Sequence, residues 1–528
     1  MNGLASNQAA RDLGDRASLA GRKVLVMGLG RFGGGVDATR YAAQAGAKVV
    51  VTDKAREDQL KDSLGQLADL SGIEYHLGGH DPQDFATADV VIANPAIPLN
   101  NEFLQVARQH GRIVSSQVGL FFQSCPARII GITGANGKST TTTLTAHILE
   151  QARKKPDRAY FEGKKSLGSI FPPQTPDARR ETRPLHSSTK SNQEISLKNI
   201  GPIRLFPSPP EPAYGKVWLS GNIGDKPLLT ILDRVQPDDL VVLEISSFQV
   251  EQLAEVGRAP SVSLLTNLTP NHLDRYGTFD AYCAAKEGLF SFQKLDEKAP
   301  AVSIFNAEDP IARSWYEKYR SQAGRVCMQF CADDVSDKMR SGYALPGRAN
   351  LSNLAAAMAI AKCFGVSEKA IRSCLPSFKA LPHRLELVAE GHGVRWYNDS
   401  KATTPEGTMV ALSAFDCPKV LIAGGYDKHT PFDELGGRIA ASAKAVVLIG
   451  QTARMIGDAI GAAPKTDRGV DVRFAGSLAE AVEVAGRLAG TGDVVLLSPA
   501  CASYDMFENY QQRGRQFGEL ARQVAVGK

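Results

Sequence analysis

No window of the 528-residue chain reaches the run of about 18 uncharged apolar residues that a membrane-crossing helix needs. The eight cysteines, Cys125, Cys283, Cys327, Cys331, Cys363, Cys374, Cys417 and Cys501, contain no Cys-x-x-Cys pair. Cys327 and Cys331 could make half of a metal site, but no second ligand pair follows, so buried free thiols are expected. The opening Met-Asn-Gly-Leu-Ala-Ser-Asn lacks the basic flank and apolar core of a secretory signal. These absences lead to the expectation of a cytoplasmic protein without stable membrane insertion. A broad basic surface is missing too. The net charge is +5, yet twelve Lys/Arg against six Asp/Glu fall between residues 153 and 215, which leaves −1 for the rest. No nucleic-acid partner is therefore expected.

Apolar content of 43% and charged content of 22% are ordinary for a globular protein, and 528 residues are too many for one core. Domains of about 100–200 residues predict three, with four possible. The most informative stretch is Gly131-Ile-Thr-Gly-Ala-Asn-Gly-Lys-Ser-Thr140, set between the apolar run Ala127–Gly131 and a helical pattern from Thr140 to Leu149. Strand, glycine loop and helix are the setting a phosphate-binding loop requires. Gly134 and Gly137 free backbone N–H groups to wrap phosphate oxygens at the helix N-terminus, Lys138 supplies charge, and Ser139 offers a hydroxyl to Mg²⁺. Ile132 stands where the commoner motif has its first glycine, so the pattern is the shorter Gly-x-x-Gly-Lys-Ser.

Ahead of it, Lys23–Gly28 reads as a buried strand running into Gly28-Leu-Gly-Arg-Phe-Gly33, a helix, and a second strand ending at Asp53. This fits the dinucleotide fingerprint, which physically specifies a diphosphate at a helix N-terminus and an acid near a ribose or base. A UDP-linked ligand satisfies it as well as NAD does. From about Arg153 to Tyr214 the apolar periodicity fails and ten prolines appear, so 153–215 is expected to be a disordered or loosely packed insert. Order resumes at Lys216–Gly224, and the strand Asp239–Glu244 ends on an acid placed to face a nucleotide's Mg²⁺. His272 lies in a polar loop and Lys286 in a helix from Phe279 to Phe290. By themselves both are ordinary. Later strands at 395–398, 419–424, 445–449 and 493–497 alternate with helices. They are followed by the polar clusters Asp399–Thr403, Gly424–Lys428 and Ser498–Ser503, at the strand ends where open α/β sheets bind ligands.

Thr133–Ser139, Gly221-Asn-Ile-Gly224, Glu244–Gln249, Asn267–Tyr276, Leu381-Pro-His-Arg384, Asn398–Thr403 and Ser498–Phe507 together resemble the Mur ligase family over nearly the whole chain outside the first twenty residues and the insert. Asn398–Thr403 and Ser498–Phe507, with Gln512-Arg-Gly514, favour its D-glutamate-adding branch. The resemblance implies an α/β protein of three domains. After a lead-in at 1–20 come a Rossmann-like UDP-substrate domain at 21–125, a phosphate-loop ATP domain at 126–345 and a Rossmann-like amino-acid domain at 346–528. It implies ATP-driven joining of D-glutamate to UDP-N-acetylmuramoyl-L-alanine through an acyl phosphate, by a monomer. Lys138, Asn222, Glu244, His272 and Lys286 would be catalytic, with Ser139, Glu244, His272 and a carbamate on Lys286 serving two Mg²⁺ sites. Gly134, Ala135, Asn136, Gly137, Lys138, Ser139, Thr140, Asn350, Asn353, Arg384 and Asp399 would contact ATP. Gly28, Gly30, Arg31, Phe32, Gly33, Asp53, Asn94, Ser246 and Gln249 would meet the nucleotide-linked substrate, and Lys401, Thr403, Lys428, Ser503 and Tyr510 the D-glutamate carboxylates. Two departures stand out: Ala349 replaces a histidine usual in Gly-x-His-Asn, and Lys54-Ala55 follows Asp53 where relatives differ. The alternatives are another Mur-type or folylpolyglutamate-synthase-like ligase, or a non-catalytic nucleotide-binding regulator.

Overall fold

A computed structural model describes residues 13, 16–31, 33–154, 214–223, 227–464 and 469–527. Phe32, Gly224 and residues 155–213 of the expected insert lie outside them. The chain forms two compact units, Met1–Asp334 with Asn353–Cys374, and Val335–Ser352 with Leu375–Lys528. Among the described residues no helix is long and apolar enough to cross a membrane.

The first unit holds two parallel sheets. Lys23–Met27 (β1), Lys48–Asp53 (β2), Glu74–Leu77 (β3), Val90–Ala93 (β4) and Ile113–Ser116 (β5) pair in the order β3-β2-β1-β4-β5. Arg128–Thr133 (β6), Val217–Gly221 (β7), Leu240–Glu244 (β8), Val262–Leu265 (β9), Ala301–Asn306 (β10) and Arg325–Phe330 (β11) follow as β11-β10-β9-β6-β8-β7. The central strands β4, β8, β9 and β10 are buried along their whole length, as expected of parallel sheets covered on both faces. One apolar core, from Val24, Val26 and Phe121 to Leu243, Leu253 and Phe290, joins the two sheets.

The helices used below are Gly34–Gln44 (α1), Lys138–Lys154 (α2), Ser247–Val256 (α3), Leu273–Tyr276 (α4), Phe279–Ser291 (α5), Arg348–Cys363 (α6) and Tyr510–Val526 (α7). Four consecutive threonines open α2 despite their poor helix propensity, and tertiary burial outweighs it: Thr140, Thr141 and Thr142 are all buried. Arg153 and Lys154 complete α2, both paired with Glu150. Tyr214 is buried, donates its hydroxyl to Leu149 O at 2.9 Å and meets the Phe364 ring at 6.0 Å. The ends of the expected insert, 153–154 and 214, thus belong to the packed body.

The second unit has one sheet, in the order β12-β13-β17-β14-β15-β16, from Glu386–Gly391 (β12), Val394–Asn398 (β13), Lys419–Ala423 (β14), Ala445–Leu448 (β15), Asp471–Phe474 (β16) and Val494–Leu497 (β17). Only the β12–β13 edge pair is antiparallel. An apolar cluster covers each face of this sheet.

Close helix–loop packing after β1 falls to a glycine outside the Gly-x-Gly-x-x-Gly pattern. A Cβ on Gly35 would lie 2.3 Å from Leu29 O and 2.5 Å from Gly28 O, whereas one on Gly33, at φ 81°, would meet open space. Gly35→Ala is expected to cost about 1–3 kcal/mol through forced backbone movement. Gly33→Ala should cost about 1 kcal/mol through left-handed strain alone. Urea unfolding of the two variants checks the order.

Candidate functional site

The carboxyl ends of β6, β8 and β9 lie side by side, because β6 pairs in parallel with both neighbours, Ile132 opposite Glu244 and Thr133 opposite Leu265. The glycine loop leaves β6 here and is held from β9's side. Ala135 N donates to Asn267 O at 2.8 Å, Asn136 N to Asn267 Oδ1 at 2.9 Å, and Thr266 Oγ1 to Asn136 O at 2.6 Å. Both loop glycines are needed for room: a Cβ on Gly134 would sit 1.9 Å from Thr266 Oγ1, and one on Gly137 2.3 Å from Asn353 Oδ1. Asn353, on α6, also accepts from Thr141 Oγ1 at 3.2 Å, which brings this expected ATP contact beside the loop. Lys138 Nζ donates to the carbonyls of Gly134 and Ala135 at 2.9 and 2.8 Å, while Ser139 and Thr140 are buried in the first turn of α2. Asn267 is a loop-holding residue that the sequence motifs alone do not single out. A polar residue straight after a buried strand was the available signal.

Glu244 is buried at the end of β8. Its Oε1 accepts from Asn222 Nδ2 at 2.9 Å, and its Oε2 is buried with no hydrogen-bond partner among the described residues. An unpaired buried carboxylate oxygen is costly and calls for a cation. Its carboxylate and the Ser139 hydroxyl are both hard-oxygen donors, the ligand type that suits Mg²⁺. Lys286, on α5, is 1% exposed and donates to Thr133 Oγ1 at 3.3 Å, while Thr133 donates to Ile245 O at 2.8 Å. Burial, and then the charge of Lys138, drives the Lys286 pKa well down against the pull of Glu244. His272 has a left-handed φ of 52° and its ring lies 4.9 Å from that of Phe248. Burial, and then Lys286, lowers its pKa, leaving a neutral imidazole able to bind a cation. Arg275 stacks 4.1 Å over Phe248 and donates to Ala96 O at 2.8 Å, tying the His272 turn to the first sheet.

In that sheet the expected diphosphate loop is internally braced. Gly30 N donates to Asp53 Oδ2 at 3.0 Å, Ala55 N to Asp53 Oδ1 at 2.8 Å, and Asn94 Nδ2 to Gly28 O at 3.2 Å. Gly28, Gly30, Gly33, Asp53 and Asn94 are thus gathered at the ends of β1, β2 and β4, with Arg31 exposed on the loop. Ser246 and Gln249 form a capping box on α3, Ser246 N donating to Gln249 Oε1 at 2.9 Å.

The second unit gathers its own group at the ends of β13, β14 and β17. Burial pushes the Asp399 carboxyl up to about 7, against Ser498 Oγ and Leu385 N, which donate to it at 2.9 and 3.2 Å. Arg384 adjoins it. Arg513, 1% exposed on α7, donates to Ser400 O at 2.9 Å, Cys501 O at 3.1 Å and Ala502 O at 3.2 Å. It fastens together the loops bearing Lys401, Thr403 and Ser503. Lys401 Nζ lies 5.4 Å from the Tyr510 ring centre. Lys428 follows Tyr426, whose N donates to Ala502 O at 2.9 Å. Asn350 stands apart at the start of α6, with its Nδ2 on Pro346 O at 2.8 Å.

A parallel sheet carrying a phosphate loop beside a buried strand-end carboxylate defines an α/β nucleotide-using enzyme of the phosphate-loop class. The chain matches the Mur ligase MurD-like N-terminal domain over residues 22–116, the Mur ligase middle domain over 227–343 and the Mur ligase glutamate ligase domain over 383–501. It belongs to the Mur ligase family. It is 37% identical over 95% of its length to UDP-N-acetylmuramoylalanine--D-glutamate ligase of Roseiflexus sp. (strain RS-1), covering 98% of that protein. With the protein of that name from Anaeromyxobacter dehalogenans (strain 2CP-C) it shares 35% identity, over 96% of this chain and 99% of that one. The solved structure of MurF from Acinetobacter baumannii shares the fold, with a TM-score of 0.50 at 15% identity over 96% of this chain and 92% of that one.

Burial holds the Lys286 pKa lower in the folded chain than in the unfolded one, so between the two values the unfolded chain binds the proton more tightly. The cost to stability is full below the depressed folded pKa and fades as pH rises toward the ordinary lysine value. In CO₂-free buffer Lys286→Met is therefore expected to melt higher than wild type at neutral pH, with the gap narrowing as pH is raised. Thermal scans over pH check this.

Proposed function

We propose that the chain joins D-glutamate to UDP-N-acetylmuramoyl-L-alanine, the reaction named for the relatives it matches over nearly their full length. The alanyl carboxylate attacks the ATP γ-phosphorus and ADP departs. The D-glutamate amine then attacks the acyl phosphate carbonyl, and phosphate leaves as the amide forms. The observation that carries this reading is the Oε2 of Glu244, without a hydrogen-bond partner among the described residues, buried beside a phosphate loop and within electrostatic reach of Lys286.

Each residue then has a physical task. The loop N–H groups and Lys138, swung from the Gly134 and Ala135 carbonyls, offset charge on the β- and γ-phosphates. Ser139 and Glu244 hold one Mg²⁺, and His272 with a carbamate on Lys286 a second. Bound there, Mg²⁺ supplies Lewis-acid charge to the phosphoryl oxygens. A depressed lysine pKa favours the free amine, the form that adds CO₂ with loss of a proton, and the resulting carbamate places a negative charge near Lys138. Asn222 orients Glu244 and faces the nucleotide-linked substrate. Gly28, Gly30, Arg31, Phe32, Gly33, Asp53 and Asn94 take the UDP portion, with Ser246 and Gln249 near the sugar acid. Asn350, Asn353, Arg384 and Asp399 contact the nucleotide of ATP. Lys401, Thr403, Lys428, Ser503 and Tyr510 bind the D-glutamate carboxylates, since paired lysines suit a dicarboxylate. The protein acts as a cytoplasmic monomer.

Phosphate release with UDP-N-acetylmuramoyl-L-alanine should appear with D-glutamate and not with L-glutamate or meso-diaminopimelate; the reverse preference would reject the assignment. Lys138→Ala should lose about 10²–10³-fold or more in kcat. A carbamate ¹³C resonance should appear with labelled bicarbonate and vanish in Lys286→Met.

A further inference from the structure

A carboxylate in the first unit that no site motif includes accepts five hydrogen bonds. Asp37 lies in the first turn of α1 and is 6% exposed. Its Oδ2 accepts from Leu228 N at 2.9 Å, Leu229 N at 2.7 Å and Gln117 Nε2 at 2.6 Å. Its Oδ1 accepts from Thr230 N at 3.1 Å and Thr230 Oγ1 at 2.8 Å. All five donors are neutral. A buried ion without a directly bonded cation is a poor choice for stability alone, since an apolar replacement often serves as well. What it supplies is direction: three consecutive backbone N–H groups converge on one carboxylate and fix the segment that carries them.

Each end of this connection leads to a proposed substrate contact. On one side, Asp37 N donates to Gly33 O at 2.9 Å, so the residue is bonded to the glycine loop it follows. On the other, Ser220 Oγ, two residues before Asn222, donates to Pro227 O at 2.6 Å, next to the Leu228–Thr230 donors. Asn222 in turn donates through N to Glu244 O and through Nδ2 to Glu244 Oε1, both at 2.9 Å. Asn222 is thus bonded to Glu244, and Leu228–Thr230 to α1. An acid in the first turn of a helix whose N-terminus receives a diphosphate would repel it, and four donors from residues 228–230 with a fifth from Gln117 draw that charge toward themselves instead.

We propose that Asp37 is a positioning residue that registers the Asn222 turn, and through it Glu244, against the glycine loop, so that a diphosphate seated on that loop sets the carboxylate used at the phosphate site. This rests on the ligase reading above and adds to it a residue that touches neither substrate.

The test uses the full chain, with UDP as probe and hydrogen exchange as the first readout. In wild type, UDP should slow exchange both in the glycine loop and in 217–223; in Asp37→Asn it should slow the loop alone. In ligation assays, Asp37→Asn should lose about tenfold in kcat while KM for ATP stays within about twofold. In an Asn222→Ala background that loss should largely disappear, because the two act through one turn. If Asp37→Asn fails to fold, Thr230→Val removes a single donor and should show the same pattern more weakly. Protection of the loop but not of 217–223 in wild type, or losses that simply multiply in the double variant, would overturn the proposal. A wild type that UDP protects at both segments but that releases no phosphate with D-glutamate would instead reject the ligase reading and leave the connection standing.

Discussion

Parallel pairing of β6 with β8 and β9 is the constraint from which the phosphate site follows. Parallel neighbours end at the same edge, so the glycine loop, Glu244 and Thr266-Asn267 must emerge together whatever their separation in sequence. Once there, they hold one another. Thr266 and Asn267 fill the space that Gly134 leaves and bond the loop's backbone, while Asn222 from the neighbouring β7 orients Glu244. The loop is thus shaped by the protein before any ligand is considered. That is the preorganisation expected of a site that stabilises charge.

Buried polar groups mark the places where elements distant in sequence are made to agree. Asp37 binds residues almost two hundred positions on, and Arg513 ties the loop after β13 to the loop after β17. Arg325 does the same in the second sheet, donating to Gln293 Oε1 and Ser303 Oγ at 2.6 Å and to Phe290 O at 2.9 Å. Each side chain is charged, and each contacts several carbonyls, amides or hydroxyls. A partly satisfied network of this kind would cost more than an apolar core, whereas a completed one specifies a single arrangement.

Much of this architecture was legible in the residues because local rules govern it. Apolar β-branched runs mark β1, β2, β6, β8, β13, β14, β15 and β17 to within two residues, and glycines mark the loops between strand and helix, whereas β3, β10, β11, β12 and β16 were not anticipated. Strand-end acids and amides marked the site edge. What the sequence withheld was pairwise. Nothing local says that Gly137 is small because Asn353 Oδ1 occupies its Cβ position, or that Gly35 rather than Gly33 makes the close approach to the glycine loop. Asp37 looked like one more helix acid, since its partners lie in a segment read only as returning order. The expected domain start at 346 assigns α6 to the third domain, whereas Asn353–Cys374 groups with the first unit, because propensity carries no information about which core a helix joins.

Tyr214 re-enters beside the end of the helix from which the chain departed at Lys154, its hydroxyl on Leu149. The two described ends, Lys154 and Tyr214, are therefore both anchored on α2. With these ends fixed side by side, the number of residues joining them weighs little on stability, about 0.6 kcal/mol for each doubling.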